Sequence, residues 1–199
     1  RDSNGGGGII GDGDTQWMTA GSGILHIEAP TEEAVLQGGL FHGVQIWVNL
    51  PASLKWVNPR YQDISGSDLK LVLSHDGSSM VRIIAGNVAG FVGPGITHTP
   101  ISIIHASIRP GTLFQIPWKP SNFNALGYVL SGNGYVGKEQ IQVHTGQAIL
   151  FGKGDVVQIT ASDIQDSRSK DLDILIMGGQ PIRQQVAWHG PFVMNSQRE

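Results

Sequence analysis

With 199 residues, 40% of them hydrophobic and 15% charged, the chain is long enough to bury one large core or two small ones. A net charge of −3, a pI near 6.2 and Lys and Arg residues scattered singly supply no basic field, which argues against direct nucleic-acid binding. Cysteine is absent, so disulfides, thiolate metal sites and thiol catalysis are excluded. No run approaches the ~18 apolar residues of a spanning helix, and the expected setting is soluble and cytoplasmic, with no membrane partner.

In chain order, Asp2-Ser3-Asn4 and the glycines at 5 to 8 read as a loop. They resemble a phosphate loop only superficially, because no Lys-Ser/Thr and no helix follow; a flexible hairpin tip is expected. Ile9-Ile10, the turn Gly11-Asp12-Gly13-Asp14 and Trp17-Met18 come next. Gly23-Ile24-Leu25-His26-Ile27-Glu28-Ala29-Pro30 has apolar residues without helical spacing between a Gly and a Pro, which predicts a short buried strand. Thr31 to Gly38 is expected to be a loop with room for a helical turn. Val44 to Leu50 alternates and predicts a second strand, ended by Pro51. Asn58 to Asp68 is polar and turn-rich, and the domain boundary is placed there.

Strand-like runs then follow at Leu69–Ser74, Val81–Val88, Ile101–Ile108, Leu113–Ile116, Leu126–Leu130, Ala148–Phe151, Val156–Thr160 and Leu172–Met177. Such runs, set apart by Gly, Pro, Asp or Ser at intervals of about 8–12 residues, predict an all-β sandwich or barrel. The domains expected are 1–60 and 68–199. A weak internal repeat supports duplication: Gly13-Asp14 through Thr19-Ala20 lies on Gly154-Asp155 through Thr160-Ala161 at an offset of 141. That offset carries His26 to Ser167 and Glu28 to Ser169, so only the first half would keep ligands.

His26 and Glu28 are the residues singled out for chemistry. Two apart on a strand, they leave on the same face, and a carboxylate among apolar neighbours needs a partner for its charge. A divalent metal would be one such partner; a mutually satisfied polar pair is the plainer alternative. His98 and His105, seven apart, are read as a loop-end and a wall residue. His42, His75, His144 and His189 are read as surface or turn residues, and Trp17 and Trp47 as core or barrel lining. No Gly-x-Ser-x-Gly elbow is present.

Asp14-Thr15-Gln16-Trp17-Met18-Thr19-Ala20-Gly21 with Gly23-Ile24-Leu25-His26 and Glu28 resembles the second half of the pirin metal motif. The likeness continues through Gln45 to Pro51 and Pro59-Arg60-Tyr61-Gln62. It resumes at Tyr128 to Gly132 and closes at His189-Gly190-Pro191-Phe192-Val193-Met194-Asn195. The resemblance implies a bicupin of the cupin superfamily: two double-stranded β-helix (jelly-roll) barrels, the first incomplete at its N-terminus, the second without metal ligands. It implies non-haem iron held by His26, Glu28 and two further histidines, from a His-x-His motif expected upstream of residue 1, because no His precedes His26.

The activity implied is that of a quercetin 2,3-dioxygenase, an oxidoreductase acting on a flavonol and O₂, with Glu28 also serving as the base. Two alternatives stand beside it. One is a non-catalytic, metal- or redox-sensitive module that binds a protein partner, of the transcription co-regulator type; the other is a metal-free binding barrel.

Overall fold

The computed structural model describes residues 2–166 and 169–199. Its strands in chain order are β1 (Thr15–Thr19), β2 (Arg60–Ile64), β3 (Lys70–Leu73), β4 (Ser79–Ala85), β5 (Asn87–Val88), β6 (Phe91–Val92), β7 (Ile101–Ile108) and β8 (Leu113–Pro117). These are followed by β9 (Asn124–Ser131), β10 (Asn133–Val136), β11 (Ile141–His144), β12 (Ala148–Leu150), β13 (Val156–Ala161), β14 (Leu172–Gly179), β15 (Ala187–His189) and β16 (Phe192–Met194). The all-β class read from the sequence is the class observed. By contacts the chain forms two units, residues 1–66 with 182–199 and residues 67–181.

The second unit is a sandwich. A six-stranded sheet runs β12-β9-β14-β7-β4-β3 and a four-stranded sheet runs β11-β10-β13-β8. Alternation explains the arrangement: in β4 every second residue, Ser79, Val81, Ile83 and Ala85, is buried, and side chains of a strand leave alternately to its two faces. Val157 and Ile159 of the smaller sheet meet Ile104, Ile108, Ile174 and Ile176 of the larger in one core. Each fully buried Ile or Leu contributes roughly 1.5–3 kcal/mol of transfer free energy.

No strand is predicted at β10, whose residues show no apolar alternation, or at β11, although Ile141-Gln142-Val143-His144 does alternate. They form because β10 pairs with β13 on one side and β11 on the other. A ladder on both flanks satisfies the backbone of β10 whatever its side chains, and β11 adds to it as the edge strand.

The first unit departs further from expectation. Arg60–Ile64, placed in the boundary, is a strand that pairs antiparallel with β1 from Thr15↔Ile64 to Thr19↔Arg60. Both copies of the internal repeat lie on strands, β1 and β13; Ser167, onto which the repeat carries His26, lies outside the described residues. Thr31 to Gly38, expected to be a loop, holds a six-residue helix, α1 (Glu32–Gln37). Its start is encoded locally: Thr31 Oγ1 accepts from the Ala34 N–H at 3.2 Å, and Glu32 and Glu33 favour the positive end of the helix.

Two predicted strands are absent. Residues 24–28 make only an isolated bridge between Asp2 and His26, and residues 44–50 have no regular structure. An apolar run becomes a strand only where an edge accepts its hydrogen bonds. Among the described residues no ladder receives either segment. Leu25 and Trp47 are accordingly exposed, where burial was expected.

The segment 182–199, expected in the C-terminal barrel, groups with the first unit. Three ties hold it there: the Ala52 N–H donates to Gln184 Oε1 at 2.7 Å, Lys55 Nζ donates to Val193 O at 2.9 Å, and the Trp47 and Trp188 rings lie 6.2 Å apart, tilted by 55°. Lys55 is itself buried, at 7% exposure, and also donates to Asn49 Oδ1. Burial lowers the pKa of its amine, partly offset by the nearby Glu199 carboxylate.

Candidate functional site

His26 and Glu28 lie between β1 and α1, on a stretch pinned to the start of the chain. The Ser3 N–H donates to Leu25 O at 2.8 Å, the Leu25 N–H donates to Ser3 Oγ at 3.2 Å, and His26 bridges Asp2. Asp2 is fixed in turn, since its Oδ1 accepts from the N–H groups of Asn4 and Gly6 at 2.8 and 2.9 Å. The glycine loop therefore closes on a carboxylate.

The imidazole and carboxylate leave the backbone on the same side, as a two-residue spacing in extended chain requires. His26 Nε2 stands 3.9 Å from Glu28 Oε1. The other carboxylate oxygen, Oε2, accepts from Gln45 Nε2 at 3.3 Å, so an amide steadies the acid. Sequence reasoning missed Gln45 as a partner, although the residue opens the Gln45 to Pro51 block of the family resemblance and lies on the polar phase of the Val44–Leu50 alternation.

The pair is at the surface, its side chains 34% and 54% exposed. The buried, inward-facing placement expected for it does not hold, for the reason given above: no neighbouring strand in the described residues covers this stretch. Exposed, Glu28 meets little of the desolvation cost on which the need for a compensating cation was argued.

The donor types suit a divalent cation, but the donor number does not complete a site. Ligands in cis on bonds of ~2.1 Å sit roughly 3 Å apart, so the pair is open by about 1 Å. Among the described residues no group of three or more His, Asp or Glu side chains converges. His26 and Glu28 are thus two donors of a set whose remainder these residues do not supply.

A second polar cluster lies on the outer face of the six-stranded sheet. His105 Nε2 is 3.2 Å from Asp173 Oδ1 and its Nδ1 is 3.4 Å from Arg82 Nη1. Since Arg82 can only donate, Nδ1 accepts and the proton sits on Nε2, facing Asp173. Ser107 Oγ donates to the same Asp173 oxygen at 2.6 Å. The serine proton is committed to the carboxylate and not to the imidazole, so the group does not form a nucleophilic relay. Burial pushes the Asp173 carboxyl up, and the hydrogen bonds from His105, Ser107 and Ser169 outweigh it, leaving the group below its ordinary value.

The remaining histidines are peripheral. His42, His75, His98 and His189 are exposed, and His144 faces Asp166 with Nδ1 to Oδ2 at 3.7 Å.

Comparison with known proteins adds to this geometry. The family model described as Pirin matches residues 1–48, and the one described as Pirin C-terminal cupin domain matches residues 103–199. Pirin-1 of Arabidopsis thaliana is 34% identical over all of this chain and 66% of its own length. A pirin-like protein of the same plant is 36% identical over all of this chain and 69% of its own. Among solved structures, quercetin 2,3-dioxygenase from Acinetobacter baumannii superimposes with a TM-score of 0.89 at 34% identity, covering 100% of this chain and 66% of that one. The chain thus spans about two thirds of the length of these relatives.

Proposed function

The chain belongs to the pirin family, a family of bicupins, and from that premise we propose that it is part of a quercetin 2,3-dioxygenase-type oxidoreductase that uses non-haem iron. The observation that carries this reading is the 34% identity to the Acinetobacter baumannii quercetin 2,3-dioxygenase across the whole chain, within which His26 and Glu28 face each other at 3.9 Å.

In this reading His26 supplies a neutral imidazole nitrogen and Glu28 a carboxylate oxygen, and two further histidines come from sequence preceding Arg1. Iron, when bound, supplies a Lewis acid for the flavonol hydroxyl and an open position for O₂. Oε1, on the His26 side, is the oxygen placed to ligate, and Gln45 orients the acid by engaging Oε2, the oxygen left to take up the hydroxyl proton of the substrate.

The intact protein, carrying the preceding sequence and reconstituted with Fe(II), is expected to consume quercetin under air, followed as loss of flavonol absorbance. His26→Ala and Glu28→Ala should each abolish stoichiometric iron and turnover. A protein that holds iron stoichiometrically and leaves quercetin untouched would remove the proposal.

A second reading draws on the exposure of the site. With the pair 34% and 54% exposed, a metal there would sit where a protein partner could sense its presence, as in a metal- or redox-sensitive module. Equal partner affinity with and without iron would count against it.

A further inference from the structure

Among the described residues no ladder holds residues 44–50, yet Gln45 on this segment reaches Glu28 Oε2. A segment without strand pairing keeps its place through side-chain contacts, and three of its residues make them at alternate positions. Gln45 engages Glu28, Trp47 meets the Trp188 ring, and Asn49 Oδ1 accepts from Lys55 Nζ. The last two lead to the end of the chain.

Lys55 makes the stronger of these ties. It follows the 3₁₀ turn Ala52–Leu54, and its amine donates both to Asn49 Oδ1 and to Val193 O, the latter at 2.9 Å. At 7% exposure an ammonium has little water to take in place of these acceptors, and losing either would leave a buried charge poorly compensated. The hairpin that receives the amine is braced in its own right. Trp188 and Val193 are cross-strand partners, so one rung supplies both the ring against Trp47 and the carbonyl for Lys55. Trp188 Nε1–H donates to Gly190 O at 2.8 Å and Asn195 Nδ2 to Gln185 O at 2.8 Å. Glu199 Oε2 accepts from the N–H groups of Asn195 and Ser196 at 2.9 and 2.8 Å.

We propose that Lys55 is a positioning residue for the candidate metal site, holding Gln45 against Glu28 by fastening residues 45–49 to the β15–β16 hairpin. The inference rests on the metal-site reading of His26 and Glu28, and it makes the far end of the chain a working part of that site. By keeping Oε2 tied to Gln45, the clamp leaves Oε1 on the His26 side.

The full chain, labelled with ¹⁵N and free of metal, allows the Gln45 side-chain amide to be followed. Its signal, identified by its loss in Gln45→Ala, is expected to move upfield in Lys55→Met, to the position it takes in Glu28→Ala. Asn49→Asp keeps an acceptor for the amine and should leave the signal where it stands in wild type. Should Lys55→Met not fold, Asn49→Leu removes the same tie from a half-buried position and is expected to give the same shift. In the intact protein, Lys55→Met and Gln45→Ala should each weaken Fe(II) binding about tenfold, the loss typical when a group that orients a ligand is removed. The double variant should bind no more weakly than Gln45→Ala, because both changes act through one hydrogen bond. A Gln45 signal unmoved in Lys55→Met or Asn49→Leu, or losses of Fe(II) affinity that add in the double variant, would overturn the assignment. The amide signal needs neither iron nor substrate, so a protein that leaves quercetin untouched would refute the dioxygenase reading and not this one.

Discussion

Asp173 illustrates how a single carboxylate can be stabilising because its surroundings oppose each other. Burial alone would raise its pKa, yet three donors converge on it and the net displacement is downward. A carboxyl depressed in the folded state contributes stability above its unfolded pKa of about 3.9, and that contribution is lost as pH falls through the folded value. Asp173→Ala strands the His105 and Ser107 donors and is expected to cost about 1–3 kcal/mol at pH 7. The difference from wild type should shrink as the pH drops below about 4, a trend that urea titrations at pH 7 and pH 3 would reveal. His26 and Glu28 differ in kind: both are surface groups, 3.9 Å from each other, and Glu28 has one long contact to Gln45. Alanine at either position is expected to change unfolding free energy by less than about 0.5 kcal/mol, so any loss of iron in the intact protein would report on binding and not on folding. A larger drop in the denaturation midpoint would contradict their surface placement.

At the level of elements, the second unit depends on strands whose buried residues are packed from both sheets. Ile174 of β14 has no exposed surface, and Ile174→Ala should cost about 2–5 kcal/mol, the range for deleting a large aliphatic core side chain. Equilibrium denaturation of the second transition would test this. That β14 and β7 are strands was legible in the sequence, because alternation and β-branched content are written into the segment itself. β10 was not legible, because its residues carry no alternation and one of its two ladders comes from β13, distant in sequence, and its hairpin partner β11 was passed over with it. The converse error arose at residues 24–28 and 44–50, where apolar content suggested strands but no edge among the described residues receives them. For the candidate site, the spacing of His26 and Glu28 was enough to put them on one side, since that depends only on local backbone. Their exposure and the role of Gln45 depend on which segments meet in space, which the local residues do not encode.

For the molecule as a whole, apolar burial is uneven. The core cluster runs from Val81 to Ile176, all within residues 67–181. Among the described residues of the other unit, the buried side chains are Ile64, Thr19 and Lys55. Hydrophobic burial is the dominant favourable term in folding, so the two units should not open with equal ease. Limited proteolysis is expected to cut first within residues 20–60 and to leave a resistant fragment close to 67–181. Simultaneous loss of both units at a single protease concentration would show that they unfold as one.

The position of β14 has a further consequence during biosynthesis. This strand, late in the chain, lies between β9 and β7 in the middle of the six-stranded sheet. A ribosome adds residues at about 5–20 per second, so β7 and β9 emerge seconds before the strand that joins them. Over that interval the nascent chain carries two open sheet edges with their hydrogen-bonding groups unclaimed, the kind of surface on which neighbouring polypeptides pair. That interval therefore decides whether the gap is closed from within the chain or from outside it.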